Sequence, residues 1–374
     1  MSVLRLFPAI KNYIWGGGRL KESYGKIGAL PLAESWELSF HPDGLTQRAD
    51  GASLKDVLTA EQLGDNCKDF ADFPLLVKWI DAERSLSVQV HPSDEDALRY
   101  ENSYGKTEMW YVVAANEGAG LYLGFRRTVT EKEVADATHN GTLTELLNFV
   151  PVKAGDVYFI PSGTVHAIGA GCLILEIQQN SNITYRLFDY GRRDAEGKLR
   201  PLHVNEALRV LKKGVYTPIA PFLPTEGEKT LGISRYFHTS HISVPQKDTL
   251  HVDEASFTAL FCIGGSGRVG ETSVSQGDSL FLTAGTGEVS LSGDMSLVAV
   301  TVRRYHVDVR KSKDGFSAVL YDDIGRHHAQ KSVTAAECAG KEEKFVRDAL
   351  VADLLSAYAM TENDVVRKDV TETC

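Results

Sequence analysis

Cysteine is scarce in this sequence, and the few cysteines are not spaced as pairs. The 374 residues contain five, at positions Cys67, Cys172, Cys262, Cys338 and Cys374. The number is odd, and no two cysteines form a C-x-x-C motif. An odd number of scattered cysteines disfavours a disulfide framework, and the absence of a C-x-x-C pair disfavours a thiolate metal site. We therefore expect reduced thiols and a cytoplasmic protein.

The sequence also lacks long hydrophobic runs and an excess of positive charge. The opening residues, MSVLRLFPAIKNYIWGGG, contain no apolar segment of the kind that a signal peptide needs, and no stretch approaches transmembrane length. Fifty acidic residues against 40 basic ones give a formal net charge of −10. This balance disfavours nucleic acid and anionic membranes as partners. A small anionic substrate stays compatible, because a single pocket can be basic in an acidic protein.

Helical periodicity is sparse as well. Helices are predicted only over 53–64, over 130–150 as one or two short helices, over 204–214 and over 342–360. Between residues 75 and 305 the chain consists mainly of short β-branched and aromatic runs separated by glycine, such as PLLVKWI, EMWYVVAA, DVYFIPS and CLILEIQQ. Closely spaced strands of this type are typical of antiparallel sandwiches and barrels. The sequence therefore predicts a mainly β fold with α insertions, and its length predicts two or three domains.

An internal repeat is present at an offset of 122 residues. The segment AGDVYFIPSGTVHAI (154–168) aligns with QGDSLFLTAGTGEVS (276–290), and the glycines and the aspartate of its turns coincide. His166 of the first copy corresponds to Glu288 of the second. A copy that keeps its turn residues and loses its imidazole indicates a duplicated fold with one working site.

The segment SLSVQVHP places Gln89 and His91 two residues apart in a predicted strand. Side chains two apart in a strand point to the same side, so both would face one site. The residues that can complete such a site are Glu108, His166, Glu176 and Gln178. Amide, imidazole and carboxylate donors suit Zn²⁺ or a similar divalent ion.

The spacing of Gly155, Pro161, Gly163 and His166, G-x5-P-x-G-x2-H, resembles the second cupin motif. Four ordered segments, LLVKWIDAERSLSVQVHPSDEDA, YGKTEMWYVV, PSGTVHAIGAG and EIQQNSNITYRLFDYGR, resemble type I mannose-6-phosphate isomerase, with the short bacterial branch the closest match. YIWGG and ESWELSFHPDG, nearer the N-terminus, resemble it too. The resemblance covers roughly residues 1–305.

This resemblance implies two cupin (jelly-roll β-barrel) domains, the second degenerate, followed by a C-terminal extension. Residues 1–215 would form the metal-binding catalytic domain, 216–305 a cupin domain without a metal site, and 306–374 the extension. We assign no function to the extension and expect residues 313–332 to be poor in strands, with His327 and His328 in a solvated loop. The resemblance maps one zinc ion per chain onto Gln89, His91, Glu108 and His166.

The activity that the resemblance implies is the interconversion of mannose 6-phosphate and fructose 6-phosphate through an enediol. It places Lys106, Glu176 and Arg186 in the pocket, with Ser87 and Lys78 along one wall. Glu176 is the preferred base, because burial on an apolar strand would raise its pKa toward neutrality. Lys106 is the alternative base. Arg186 suits the enediolate or the phosphate, because its planar guanidinium is permanently charged.

Other functions are compatible with a cupin metal site. They are isomerisation of a different sugar phosphate, an iron-dependent oxygenase reaction, and sugar binding without catalysis. Lys106 and Arg186 argue against an oxygenase, which has no need of a phosphate-binding cation set. The complete ligand set argues against a binding module, since such modules tend to lose ligands. The expected partner is a small sugar phosphate, and the expected state is a monomer or homodimer.

Overall fold

A computed structural model describes residues 3–193, 197–218 and 228–371. The predicted mainly β fold is confirmed, because strands make up 43% of the described residues and helices 19%. Among the described residues, no helix has the length and apolar character that crossing a membrane requires.

Twelve strands lie in the first half of the described chain. In chain order they are β1 Val3–Arg5, β2 Ala9–Lys11, β3 Glu34–Ser39, β4 Leu75–Ala82, β5 Val88–Val90, β6 Glu108–Ala115, β7 Gly120–Phe125, β8 Leu147–Pro151, β9 Val157–Ile160, β10 His166–Ile168, β11 Cys172–Gln179 and β12 Tyr185–Phe188. Strands β2, β3, β4, β11, β6 and β9 form a six-stranded antiparallel sheet in that order. Strands β12, β5, β10, β7 and β8 form a five-stranded sheet. We call these two sheets together the first barrel.

Eleven strands lie in the second half of the described residues. They are β13 Lys229–Ile233, β14 His238–Val244, β15 Lys247–Val252, β16 Thr258–Val269, β17 Thr272–Ser275, β18 Ser279–Leu282, β19 Gly287–Thr301, β20 Tyr305–Ser312, β21 Gly315–Asp322, β22 His327–Thr334 and β23 Val365–Thr371. An eight-stranded sheet, here called the second barrel, contains β13 to β19 and also β1. The start of the chain thus pairs with β18, far along the sequence. The division of the chain at residues 215 and 305 stays a prediction.

The helices are short, apart from one near the end of the chain. In the described ranges they are α1 Arg19–Glu22, α2 Leu54–Val57, α3 Ala60–Leu63, α4 Asp94–Glu101, α5 Glu131–Asn140, α6 Val204–Val210, α7 Ala335–Cys338 and α8 Glu343–Ser356, with 3₁₀ helices at Asp65–Asp69, Leu143–Leu146 and Glu362–Asp364. The single helix predicted over 53–64 is wrong, because Leu58 and Thr59 are extended and Thr59 begins α3 with a capping box. On α8, Leu350, Leu354 and Leu355 are buried, whereas Phe345 near its start is 65% exposed.

Strand alternation sets the two faces of the six-stranded sheet. On β11, Leu173, Leu175 and Ile177 join a large apolar core together with residues of the second barrel such as Phe261. The intervening residues therefore point into the first barrel, because successive side chains on a strand alternate. This alternation directs Glu176 to the inside of the barrel.

The predicted repeat is confirmed in the backbone. The first residue of β18 lies 122 positions after the first residue of β9, and the last residues of the two strands have the same separation. Gly155 and Gly277 have φ angles of 90° and 91°, and Gly163 and Gly285 have 80° and 72°. These left-handed conformations favour glycine, which explains why both copies retain it. Glu288, which replaces the histidine, is exposed.

The C-terminal extension corrects two expectations. Residues 313–332, predicted to be poor in strands, contain β21 and most of β22, which belong to a four-stranded sheet in the order β22, β21, β20 and β23. Helix α8 packs on this sheet through Leu350, Val351 and Leu354. His328, predicted in a solvated loop, is fully buried on β22, while its neighbour His327 is exposed. Alternation along the strand separates the two histidines.

Candidate active site

The predicted metal ligands converge inside the first barrel. One ligand atom each from His91, Glu108 and His166 lies within 4.8 Å of the others, and all three residues are buried. His91 Nε2 lies 3.2 Å from Glu108 Oε1, and His166 Nε2 lies 3.5 Å from Glu108 Oε2. Gln89 on β5 is the register partner of His166 on β10. Side chains of directly opposed residues share a face of the sheet, so Gln89 lies beside this group.

The backbone around the histidines is fixed by the turn that follows β9. Gly163 donates its N–H to the carbonyl of His91 at 2.8 Å, which ties the two histidine segments together. A Cβ atom at Gly163 would lie 2.8 Å from the carbonyl oxygen of Val210, so the close approach requires glycine. The Pro-Ser-Gly turn therefore reverses the chain just before β10, and His166, the first residue of β10, lies inside the barrel.

Both imidazoles are oriented through their Nδ1 atoms. His91 Nδ1 lies 2.7 Å from the carbonyl oxygen of Ile183, and His166 Nδ1 lies 2.9 Å from that of Thr164. A carbonyl can only accept, so Nδ1 carries the proton and Nε2 keeps its lone pair. Burial and the adjacent Lys106 lower the pKa of His91 to about 3, which keeps the ring neutral. Burial also lowers the pKa of His166.

This group fits a divalent cation better than it fits an internal hydrogen-bond network. His166 Nε2 and Glu108 Oε2 are buried without a hydrogen-bond partner among the described residues, and Glu108 Oε1 is contacted by the Lys106 ammonium at 2.6 Å. Buried polar atoms are normally paired, so the two unpaired atoms, which lie beside the third ligand atom from His91, form an arrangement that a divalent cation would satisfy. Burial raises the pKa of Glu108, but Lys106 and His91 outweigh it and hold that pKa well below 4.5. An ionised carboxylate and two neutral imidazoles are donors that such an ion requires.

The predicted pocket residues line one cavity of about 280 Å³ in front of this group. Its walls include Lys78, Ser87, Gln89, Lys106, Glu176 and Arg186. All five residues predicted for catalysis or substrate binding are therefore brought together. Gln178, considered as a further candidate, instead donates from Nε2 to the carbonyls of Gln179 and Ser181 at 2.7 and 2.6 Å. It anchors the chain after β11.

Glu176 is held from both sides within this cavity. Its Oε1 accepts a hydrogen bond from Trp110 Nε1 at 3.0 Å, and its Oε2 lies 3.2 Å from Lys78 Nζ. Burial and the nearby Glu108 carboxylate raise the pKa of Glu176. Burial lowers the pKa of Lys78, but Glu176 and Glu34 outweigh it, so the net direction is upward and the ammonium stays charged.

Lys106 lies close to the candidate ligands and farther from Glu176. Its Nζ is 2.6 Å from Glu108 Oε1 and 3.3 Å from His91 Nε2. The peptide N–H of Lys106 donates to the carbonyl of Pro92 at 3.0 Å, which fixes the loop before β6. In this arrangement the lysine neutralises the buried Glu108 carboxylate.

Arg186 lies at the mouth of the cavity. Its Nε donates to Ser87 Oγ at 3.3 Å, and its Nη1 donates to the carbonyl of Pro201 at 3.0 Å. Ser87 Oγ in turn donates to Gln89 Oε1 at 3.2 Å. The sequence left open a simple ion pair between Arg186 and Asp189. In the described part of the chain, Asp189 instead pairs with Arg192 and Arg200, and no carboxylate lies within ion-pair distance of Arg186.

The sequence did not predict several residues of the cavity wall. Arg200 reaches the cavity from the segment after β12, and its Nε donates to Asp189 Oδ2 at 2.7 Å. Glu34 on β3 accepts from Trp36 Nε1 at 2.6 Å and faces Lys78. Tyr13 completes this side, and burial followed by Glu34 raises the pKa of its phenol to about 12. Glu34 lies in the ESWELSF segment, whose resemblance to the family was the only feature of the sequence that could have pointed to this residue.

The chain is similar to known proteins over much of both barrels. The type I phosphomannose isomerase catalytic domain matches residues 3–124, and the mannose-6-phosphate isomerase cupin domain matches residues 227–302. The mannose-6-phosphate isomerase of Streptococcus mutans is 36% identical over 298 residues, covering 76% of this chain and 94% of the relative. ManA, the Bacillus subtilis mannose-6-phosphate isomerase, is 36% identical over 305 residues with the same coverage.

Solved structures are similar over most of the chain. The mannose 6-phosphate isomerase from Bacillus subtilis superposes with a TM-score of 0.72 at 30% identity, covering 80% of this chain and 99% of its own. A phosphomannose isomerase variant from Salmonella typhimurium, at 19% identity and a TM-score of 0.66, supports the fold alone. The four-stranded C-terminal sheet lies outside both matched domains. From its two matched domains and its relatives, the chain belongs to the type I mannose-6-phosphate isomerases, a family of metal-dependent aldose–ketose isomerases.

Proposed function

We propose that the cavity of the first barrel interconverts mannose 6-phosphate and fructose 6-phosphate through a cis-enediol. The observation that carries this proposal is the position of Glu176, a buried carboxylate in a cavity that also contains an arginine and the candidate metal group. Moving a proton between C1 and C2 of a sugar requires a base, stabilisation of the enediolate oxygens and a cation for the phosphate. The cavity offers a residue for each requirement.

The candidate metal is zinc, held by Gln89, His91, Glu108 and His166. His91, Glu108 and His166 are buried with their ligand atoms close together, and His166 Nε2 and Glu108 Oε2 have no hydrogen-bond partner among the described residues. Imidazole and carboxylate ligands suit zinc, and a neutral amide as the fourth ligand leaves the site with a net positive charge. When bound, the ion would supply Lewis-acid stabilisation of negative charge on the sugar oxygens.

Glu176 is the proposed base. Its two oxygens are oriented by Trp110 and Lys78, so the carboxylate is held in one position toward the cavity. Burial and Glu108 raise its pKa, and a carboxylate with a raised pKa is a stronger base near neutral pH. Lys106 is the weaker candidate, because its ammonium is already engaged 2.6 Å from Glu108.

Arg186 is the proposed anchor for the negative charge of the enediolate or of the phosphate. Its guanidinium is oriented by Ser87 and Pro201, and among the described residues it has no carboxylate within ion-pair distance. Its charge is therefore available to an anion, and its planar fork matches two oxygens at once. Arg200 adds a second cation to the same wall.

The experiment that tests the proposed function is a coupled assay of fructose 6-phosphate formation from mannose 6-phosphate. We expect turnover in the purified chain, loss of turnover after treatment with a chelator, and recovery when Zn²⁺ is added back. Glucose 6-phosphate serves as the control substrate, because it differs from mannose 6-phosphate only in the configuration at C2. Turnover that is unaffected by metal removal would overturn the role of the metal, and absence of turnover with added zinc would overturn the proposed substrate.

A further inference from the structure

A second group of metal-binding side chains lies where the C-terminal sheet meets the second barrel. It consists of His238 at the start of β14, Asp322 at the end of β21 and His328 on β22. One ligand atom from each residue lies within 4.8 Å of the others. The three residues are 1%, 0% and 0% exposed. The group is therefore closed to solvent, and its members come from two different sheets.

The backbone positions the carboxylate of this group. Asp322 Oδ1 accepts the N–H groups of Ile324 and Arg326 at 3.2 and 2.8 Å in the turn between β21 and β22. These bonds leave Oδ2 directed at His328 Nε2, 3.1 Å away. Asp322 thus uses one oxygen to hold its own orientation and presents the other to the group. Carboxylates that bind metal ions are commonly oriented in this way.

One of the two histidines is oriented through its second nitrogen. His238 Nδ1 lies 3.0 Å from the hydroxyl of Tyr305, which is itself buried on β20. Among the described residues, His238 Nε2 and His328 Nδ1 have no hydrogen-bond partner although both rings are buried. Buried imidazole nitrogens normally find a partner, so these two need an explanation. A bound cation provides one for His238: when its Nδ1–H donates to the Tyr305 oxygen, Nε2 keeps its lone pair and can act as a ligand.

The group repeats the geometry of the candidate metal centre in the first barrel. The carboxylate-to-Nε2 separation is 3.1 Å between Asp322 and His328, compared with 3.2 Å between Glu108 and His91. The centroids of the two histidine rings are 5.1 Å apart in the new group and 4.9 Å apart in the first barrel. Separations near 3 Å between ligand atoms are those expected for donors about 2 Å from one tetrahedral ion.

We propose that His238, Asp322 and His328 bind a second divalent ion that joins the C-terminal sheet to the second barrel. Two imidazoles and one carboxylate favour zinc over Mg²⁺ or Ca²⁺, which prefer oxygen ligands throughout. Because the site is closed to solvent, its role is structural and separate from isomerisation. Asp322 and His328 lie beyond residue 302, where the matched cupin domain ends.

The consequence that can be measured is the metal content of the full chain. The sequence predicts one ion per chain, and this site raises the expected content to two. We would load the purified protein with Zn²⁺, remove excess metal by gel filtration and count zinc by mass spectrometry. The expected values are two ions in the wild type, one in His328→Gln and two in His327→Gln. The last variant is the matched control, because His327 is the exposed neighbour on the same strand.

Two further measurements separate this site from the catalytic one and from a folding defect. His328→Gln is expected to keep the isomerase activity of the wild type, and its thermal midpoint should rise less than that of the wild type when Zn²⁺ is added to the metal-free protein, because only the first-barrel ion still binds. Calorimetric titration of metal-free wild-type protein with Zn²⁺ requires no substitution and is expected to reveal two binding events. A wild type that binds a single ion would overturn the proposal, as would a folded His328→Gln that retains two.

Discussion

Lys78 and Glu176 are directly opposed on the neighbouring antiparallel strands β4 and β11, and Lys78 Nζ lies 3.2 Å from Glu176 Oε2. Both side chains are buried and point into the first barrel. The pair keeps a carboxylate in a desolvated cavity, where an isolated charge would be expensive. It also sets how basic that carboxylate is, since the ammonium favours the ionised form while burial disfavours it.

Glu176→Gln is expected to lower kcat by at least about 10²-fold, because the amide keeps the shape of the base and removes its basicity. Zinc binding should survive, since Glu176 is not a proposed ligand. Exchange of the C2 proton of the substrate with solvent deuterium measures the base directly. Exchange at the wild-type rate in Glu176→Gln, combined with its loss in Lys106→Gln, would transfer the role to Lys106.

Lys78→Met is expected to move the acid limb of the kcat/KM profile to higher pH by about one pH unit or more. The sign follows from the pair: removing the ammonium removes a charge that favours ionised Glu176, so the pKa of the carboxyl rises. The base must be ionised to act, so activity is lost earlier as the pH falls. The control is Lys132→Met, which breaks the exposed ion pair with Asp136. An unchanged acid limb in Lys78→Met would mean that another group controls the profile.

Arg186→Lys is expected to be costly although the charge is kept, because an ammonium cannot reproduce the planar fork of a guanidinium. A loss in kcat with KM unchanged would place the contact on the enediolate, whereas a rise in KM alone would place it on the ground-state phosphate. Arg127→Lys, at an exposed ion pair with Glu133, is the matched control. Wild-type kinetics in Arg186→Lys would show that the guanidinium contacts neither group.

His166→Ala is expected to lose the zinc of the first barrel and, with it, isomerase activity. Glu288→Gln, at the equivalent position of the repeat, should retain both, because that side chain is exposed and faces no ligand group. Its stability should stay within about 0.5 kcal/mol of the wild type, as is usual for surface substitutions. Elemental analysis and the isomerase assay check both variants. Full metal content in His166→Ala would remove this residue from the ligand set.

The residues of the candidate site were predictable because their spacing is local. Gln89 lies on β5 and His91 directly follows this strand, so the two residues, two apart, could be assigned to one face. The Pro-Ser-Gly turn before His166 has a defined geometry that glycine permits. The repeat was recognisable for the same reason, since positive φ angles restrict which residues a turn accepts. The likeness of these segments to a known family then supplied the roles.

Contacts between distant segments could not be predicted in this way. Nothing local to Arg200 indicates that it reaches the cavity and pairs with Asp189, because the segment after β12 is placed by its packing. The pairing of β1 with the second barrel likewise joins residues that are far apart in sequence.

His327 and His328 of the C-terminal sheet show most clearly the difference between what local sequence determines and what tertiary contacts determine. By itself the sequence determined the mainly β fold, the repeat and the candidate ligands of the first barrel, since each rests on residues within one strand or turn. It could not distinguish His328 from His327, because both lie in a polar segment and neither has an informative neighbour. Only the tertiary structure decided that His328 is buried beside His238 and Asp322, because burial depends on which distant surface covers a strand.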